Sequence, residues 1–163
     1  MARGLIIGCG CRGRELAAEL VGRGHVVRGT TRRPERLPEI EASGAEGVVA
    51  DPDRLATLVP AFDHVSFLMI LLGSATGDGL AALHGPRLEA MLTKLLDTTI
   101  RGVVYEAAGS VPQAALAEGS DTVTRLCSAS RIPWALLRSD PASPDWLGDA
   151  LGAVDRVLDP PPG

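Results

Sequence analysis

The sequence predicts an α/β fold, a doubly wound parallel sheet of six strands in a single domain. Short β-rich apolar runs alternate with helically periodic segments along the chain, the pattern of parallel strands joined by crossover helices. Most of these runs are apolar at every position rather than at every second one, as a sheet covered on both faces requires. A length of 163 residues, with 45% hydrophobic and 22% charged residues, suits one well-buried core. Residues 1–158 are expected to form the domain, and residues 159–163, ending in Pro160-Pro161-Pro162-Gly163, a frayed tail.

The strands are expected at residues 5–7, 25–30, 47–50, 65–72, 102–107 and 134–137. Between the first two, Leu16, Ala17, Leu20 and Val21 fall at helical spacing, so one stripe packs on the sheet while Arg14 and Glu19 face water; Gly22 and Gly24 stop the helix. Residues 34–43 read as a helix ended by Gly44, with Pro38 dividing its start. Asp51-Pro52-Asp53 and Ser143-Pro144-Asp145 each place a capping side chain before a proline, and each marks a helix start. Leu88, Met91, Leu92, Leu95 and Leu96 give residues 86–100 the longest stripe, and residues 120–130 and 144–158 supply the last two helices.

The formal net charge of −4 leaves no basic excess to displace counterions from a nucleic acid, so any anion site is local. Three cysteines, Cys9, Cys11 and Cys127, make no disulfide framework and point to a reducing, cytoplasmic setting. The first nine residues reach a glycine turn after too few apolar positions for a signal-peptide core. The longest apolar run, residues 65–72, falls far short of the roughly 20 residues of a membrane span, so no membrane association is expected. A small-molecule or protein partner and a homo-oligomer are compatible with this composition.

Gly8-Cys9-Gly10-Cys11-Arg12-Gly13 matches G-x-G-x-x-G, a weak pattern alone that gains weight from its setting. It follows the strand Leu5-Ile6-Ile7 and opens the first helix, as in the dinucleotide-binding βαβ unit of the Rossmann fold. Gly8 allows the tight turn, Gly10 a close approach of backbone to pyrophosphate, and Gly13 close packing of helix on strand. The N–H groups of Cys11 and Arg12 at the helix start, with the positive end of its dipole, suit the phosphates. A glycine turn that only packs tightly is the plainer alternative.

An NAD site usually carries Asp or Glu at the end of the second strand, about 20 residues on, to bind the ribose diol. This chain instead has Thr30-Thr31-Arg32-Arg33-Pro34 there, two hydroxyls and two guanidinium groups suited to a 2′-phosphate. NADP is therefore favoured over NAD, while a solvated basic start to the next helix is the competing account of Arg32 and Arg33. The expected strand order is 3-2-1-4-5-6, with the cofactor across the crevice beside strands one and four.

These segments resemble the atypical short-chain dehydrogenase/reductases, including the NmrA-like NADP-binding proteins. The resemblance is carried by Ile6-Ile7-Gly8-Cys9-Gly10, by Gly24-His25-Val26-Val27 leading to Thr31-Arg32-Arg33-Pro34-Glu35-Arg36-Leu37, and by Val48-Val49-Ala50-Asp51. Gly102-Val103-Val104-Tyr105 and Ile132-Pro133-Trp134-Ala135-Leu136-Leu137-Arg138 resemble the family's fifth and sixth strands. The resemblance implies a phosphate role for Arg32 and a place near the adenine for Asp51, whose helix-cap reading is equally available.

The departures bear on activity. Reductases of this family place Tyr and Lys four apart on one helix with a serine at the end of strand five. Here Tyr105 is followed at that spacing by Gly109, the only lysine is Lys94 on the preceding helix, and Glu106-Ala107-Ala108 stands where serines are common. No substrate segment is expected after strand six. The reading is an NADP(H)-binding protein related to oxidoreductases, an oxidoreductase or epimerase-like protein if it is an enzyme, and otherwise a regulatory module whose partner contacts depend on NADP(H). His84, Tyr105, Glu106 and Ser74 can line a pocket at the strands' carboxyl ends, and the loop from Gly73 to Gly79 can touch or cover a cofactor. Glu106, at the end of a central strand, is solvated, paired or chemically poised. Cys11, at a helix start, is a candidate for oxidation, and no metal site is expected.

Overall fold

A computed structural model describes residues 2–160. Six strands, β1 (Arg3–Ile7), β2 (Val26–Thr31), β3 (Glu46–Val49), β4 (Phe67–Ile70), β5 (Gly102–Glu106) and β6 (Trp134–Leu137), form one sheet in the order β3-β2-β1-β4-β5-β6. Every pairing is parallel, so the order expected from the sequence is the order observed. The helices are α1 (Cys11–Gly22), α2 (Leu37–Ala42), α3 (Leu55–Leu58), α4 (Leu80–His84), α5 (Pro86–Leu95), α6 (Gln113–Ala129) and α7 (Trp146–Leu158). The part of the expected frayed tail beyond residue 160 lies outside the described residues.

Alternation along each strand divides the core into two layers. Leu5, Ile7, Leu68, Ile70, Val103 and Tyr105 pack with the residues of α3 to α6, including Leu58, Leu92 and Val123. Ile6, Phe67, Met69 and Val104 pack on the other side with Leu16 and Leu20 of α1, Ile40 of α2 and Trp146 and Val154 of α7. Both faces of β4 are fully buried, which is why its sequence Phe-Leu-Met-Ile shows no polar alternation.

Several expected helix boundaries are corrected. Asp51-Pro52-Asp53 does not start a helix: the Asp51 carboxylate accepts the Asp53 N–H at 2.9 Å and its carbonyl accepts the Arg54 N–H at 2.8 Å, a turn that delays α3 to Leu55. Ser143 makes the same side-chain turn with the Asp145 N–H, so α7 begins at Trp146 rather than at 144. Residues 34–36 form a 3-10 turn before α2, consistent with the two-part start read from Pro38. Helix α5 stops at Leu95 instead of 100, where the Thr98 hydroxyl takes the Leu95 carbonyl and the Thr99 hydroxyl the Val65 carbonyl. The short helix α4 before it has no counterpart in the sequence reading.

Helix α6 starts at Gln113, seven residues before the expected 120, and runs through Gly119. Glycine weakens a helix, but here its bare Cα is needed, because a Cβ at Gly119 would overlap the Tyr105 hydroxyl and lie 3.3 Å from Leu88. Gly119→Ala is expected to cost roughly 1–3 kcal/mol of stability through overpacking. Gly148→Ala in α7, where a Cβ meets nothing within 4 Å, is expected to be neutral or to add up to about 1 kcal/mol. Urea denaturation of the two variants checks both signs.

Candidate dinucleotide cleft

The turn between β1 and α1 is built as its glycines require. Gly8 has φ +83°, and a Cβ there would stand 2.6 Å from the Leu71 carbonyl oxygen of the chain leaving β4. Its N–H donates to the Thr30 hydroxyl at 3.3 Å and the Cys9 N–H to the Thr30 carbonyl at 3.0 Å, so β2 holds the turn from the side. Helix α1 follows at Cys11 with no side chain capping it. Its first helical bond to the turn is Arg14 N–H to Gly10 O at 2.8 Å, leaving the N–H groups of Cys11, Arg12 and Gly13 without acceptors among the described residues. A Cβ at Gly10 would meet nothing within 4 Å, so this position opens onto free space in front of the helix end.

That space is a cleft of about 590 Å³ at the carboxyl edge of the sheet, within the usual size range of small-molecule sites. Gly8, Gly10, Cys11, Arg12 and Gly13 form its floor, and Thr31, Arg32, Arg33 and Arg36 border one end. Leu71, Leu72, Leu80, Leu83, Glu106 and Pro141 border the other. Arg32 and Arg33 are exposed and have no carboxylate within 4 Å among the described residues, whereas Arg14 and Arg36 share Glu39. The Thr31 hydroxyl accepts the Arg33 N–H at 3.1 Å and so shapes the bend that turns these two arginines out of β2.

Other residues singled out in the sequence are placed differently. The Arg12 side chain does not extend into the cleft as a free cation. Its Nε–H donates to the Pro141 carbonyl at 2.6 Å and Nη2 to the Ser143 carbonyl at 2.9 Å, while its guanidinium lies 5.8 Å from the Trp146 ring centroid. What Arg12 offers the cleft is its backbone N–H. Asp51 spends its carboxylate on its own turn and does not line the cleft; its neighbours Pro52 and Asp53 do. Gly73 does not line the cleft as Ser74, Ala75 and Thr76 do; its N–H donates to Glu106 and its carbonyl accepts the Val111 N–H. At Gly13 a Cβ would sit 3.4 Å from Gly8 O, an ordinary contact, so the tight approach expected there falls instead at Gly29, where a Cβ would come within 2.7 Å of Cys9 Sγ. Burial pushes the Cys9 thiol up to about 11, which makes it a neutral packing group.

The inner end of the cleft contains the site's buried polar chemistry. Glu106, 4% exposed, accepts the Gly73 N–H at 2.9 Å and the Trp146 indole N–H at 3.1 Å. Burial pushes its carboxyl above the ordinary range, and the two N–H donors pull part of the way back. Beneath it, in the α4–α6 layer, the Tyr105 hydroxyl and His84 Nδ1 are 2.6 Å apart, and His84 Nε2 is 3.0 Å from the Leu72 carbonyl. The carbonyl fixes the tautomer: Nε2–H donates to Leu72, and Nδ1 accepts the tyrosine hydroxyl. Burial pushes the imidazole down and the phenol up, so both stay neutral. Lys94 is exposed on α5. The sequence signal for this cluster was the polar residue at the end of β5; nothing in it paired His84 with Tyr105 or Glu106 with Trp146. Among the described residues no group of three side chains could hold a metal ion, and no helix is long and apolar enough to cross a membrane.

No family model matches the chain. A curated relative, siroheme synthase 1 of Aeromonas salmonicida (strain A449), is 32% identical over 149 residues, covering 85% of this chain and 31% of the relative. Among solved structures, a short-chain dehydrogenase/reductase superfamily protein of Agrobacterium tumefaciens with bound NAD is similar at a TM-score of 0.68 and 20% identity, covering 83% of this chain and 48% of that one. The triphenylmethane reductase of Citrobacter sp. complexed with NADP(H) is similar at 0.65 and 17% identity, covering 84% and 49%. The chain thus spans about a third of the curated relative and about half of these two structures. Sheet order, glycine turn and these likenesses together give the chain the Rossmann fold.

Proposed function

We propose that the cleft binds a nicotinamide dinucleotide, NADP(H) in preference to NAD(H), as a member of the atypical short-chain dehydrogenase/reductases acting in the cytoplasm. The observation that carries this reading is the end of β2, where a threonine and two arginines without acidic partners stand in place of a ribose-binding carboxylate. The residues present fit the group. The unpaired N–H groups at the start of α1 face the cleft floor beside the open Gly10 position, as a pyrophosphate requires. Arg32 and Arg33 suit a 2′-phosphate, and the apolar inner end suits a nicotinamide ring. When bound, such a cofactor supplies or accepts a hydride.

The fate of Tyr105 favours a second reading. Its hydroxyl is fully buried and bonded to His84, away from the cleft and with no lysine beside it, so it cannot serve as the acid of the family's usual carbonyl reduction. A cofactor-dependent regulatory module, in which a partner reads whether NADP(H) is bound, requires no such acid.

NADPH is expected to bind more tightly than NADH by roughly 1.5–3 kcal/mol, the worth of charge-assisted phosphate contacts, and Arg32→Ala to remove most of the difference. Titration calorimetry measures it, and equal affinities in the unsubstituted protein would defeat the NADP preference. Gly10→Val is expected to abolish binding of both cofactors with little change in melting temperature, since its side chain enters only the cleft. Normal cofactor binding by that folded variant would remove the pyrophosphate from the glycine turn.

A further inference from the structure

We propose that Glu106 is the proton-exchanging group of the cleft's inner end, neutral beside an uncharged ring and ionised beside a positively charged nicotinamide. The proposal rests on the dinucleotide reading and goes beyond it in assigning the residue and the kind of substrate.

Among the described residues Glu106 is the one buried carboxyl, and it is part of the cleft wall. Its environment holds it in place without neutralising it. The two groups set against it, the Gly73 N–H and the Trp146 indole N–H, are both uncharged donors, and among the described residues no cationic side chain lies within 4 Å. The charged and titratable groups around it do not change this balance. Arg12 reaches the Trp146 ring but spends its N–H groups on Pro141, Ser143 and Glu15. Tyr105 and His84 satisfy each other in the layer below, and Asp78 on the β4–α4 loop has the same sign as a Glu106 carboxylate. A carboxyl so placed holds its proton to a higher pH than a free glutamate does. Because both of its protein partners are donors, that hydrogen is left for an acceptor in the cleft.

This arrangement matches one half of a reduction. A hydride delivered by a reduced nicotinamide to the carbon of a C=O or C=N bond drives the π pair onto oxygen or nitrogen. The Glu106 O–H bond breaks and its hydrogen bonds to that atom. One hydride and one proton have then been added across one double bond, and the Glu106 carboxylate faces the ring that has become positive. Water restores the proton when the oxidised dinucleotide leaves. The substrate class is a carbonyl or imine with no anionic group beside the reacting bond, since an anion there would repel the carboxylate as it forms.

The two tryptophans of the chain make the proton observable. In a Trp134→Phe background the remaining indole, Trp146, is bonded to Glu106, and its emission is expected to titrate with a midpoint above the ~4.3 of a free glutamate. Adding Glu106→Gln should flatten that titration; a midpoint at or below the ordinary value would overturn the proposal. Below the observed midpoint, calorimetry in two buffers of unlike ionisation enthalpy counts the protons released on binding. NADP⁺ is expected to release on the order of one proton more per site than NADPH, the 2′-phosphate being common to both, and Glu106→Gln to abolish the difference while binding both. The comparison between cofactors in the unsubstituted protein decides the matter even if the variant folds poorly. Binding of both with equal proton counts sinks the Glu106 assignment and leaves the dinucleotide reading standing. Failure to bind either cofactor sinks the dinucleotide reading, and the assignment with it.

Discussion

Two N–H groups aimed at one buried carboxyl hold together the carboxyl edge of this sheet. Gly73 lies just after β4, Glu106 ends β5 and Trp146 opens α7, and the bonds between them join residues 33 and 40 positions apart. The same edge is fastened from below by His84, which ties the Leu72 carbonyl to the Tyr105 hydroxyl, and from the side by Arg12, which ties the start of α1 to the loop after β6. A buried carboxyl is costly unless hydrogen-bonded, so each of these partners has to stay in register for Glu106 to be tolerated. The cleft's shape therefore depends on this belt. The described side chains leave no buried polar atom unpaired, as a closed network of this kind requires.

The cleft that results has unlike ends. At the β2 end guanidinium groups stand in water, where an ion pair within the protein would be worth little and a bound phosphate is worth more. At the β5 end leucine side chains and Pro141 stand around the buried Glu106 carboxyl. Between them lies the uncapped start of α1, with a partial positive charge and no side chain over it at Gly10. A molecule with an anionic centre, one further phosphate and one flat apolar end satisfies all three stretches together.

Where the expected boundaries and roles shift, a local signal was overruled either by a contact from far along the chain or by a competing turn beside it. The helix expected from residue 120 starts at Gln113 and runs through Gly119, where the Tyr105 hydroxyl occupies the space a side chain would need. Asp51 and Ser143 read as helix caps, and each instead closes a turn before its helix begins. Arg12 keeps its backbone N–H at the start of α1 for the cleft, while carbonyls 129 and 131 residues away claim its side chain. Gly13, read as the point of closest helix packing, has ordinary room, and the tight approach is made by Gly29 against Cys9.

The sequence by itself determined the class of fold, the strand order, the glycine turn and the basic end of β2, because these depend on periodicity, on φ > 0 at a fixed place and on which residues stand side by side. Which side chains meet at the inner end of the cleft was decided only by the tertiary structure. Glu106 and Trp146, like His84 and Tyr105, come together because parallel strands bring all their carboxyl ends to one edge. Helix packing then sets which of the residues arriving there can touch. Pairings at such distances in the chain leave no mark on local pattern, since each partner taken alone is an ordinary polar or aromatic residue.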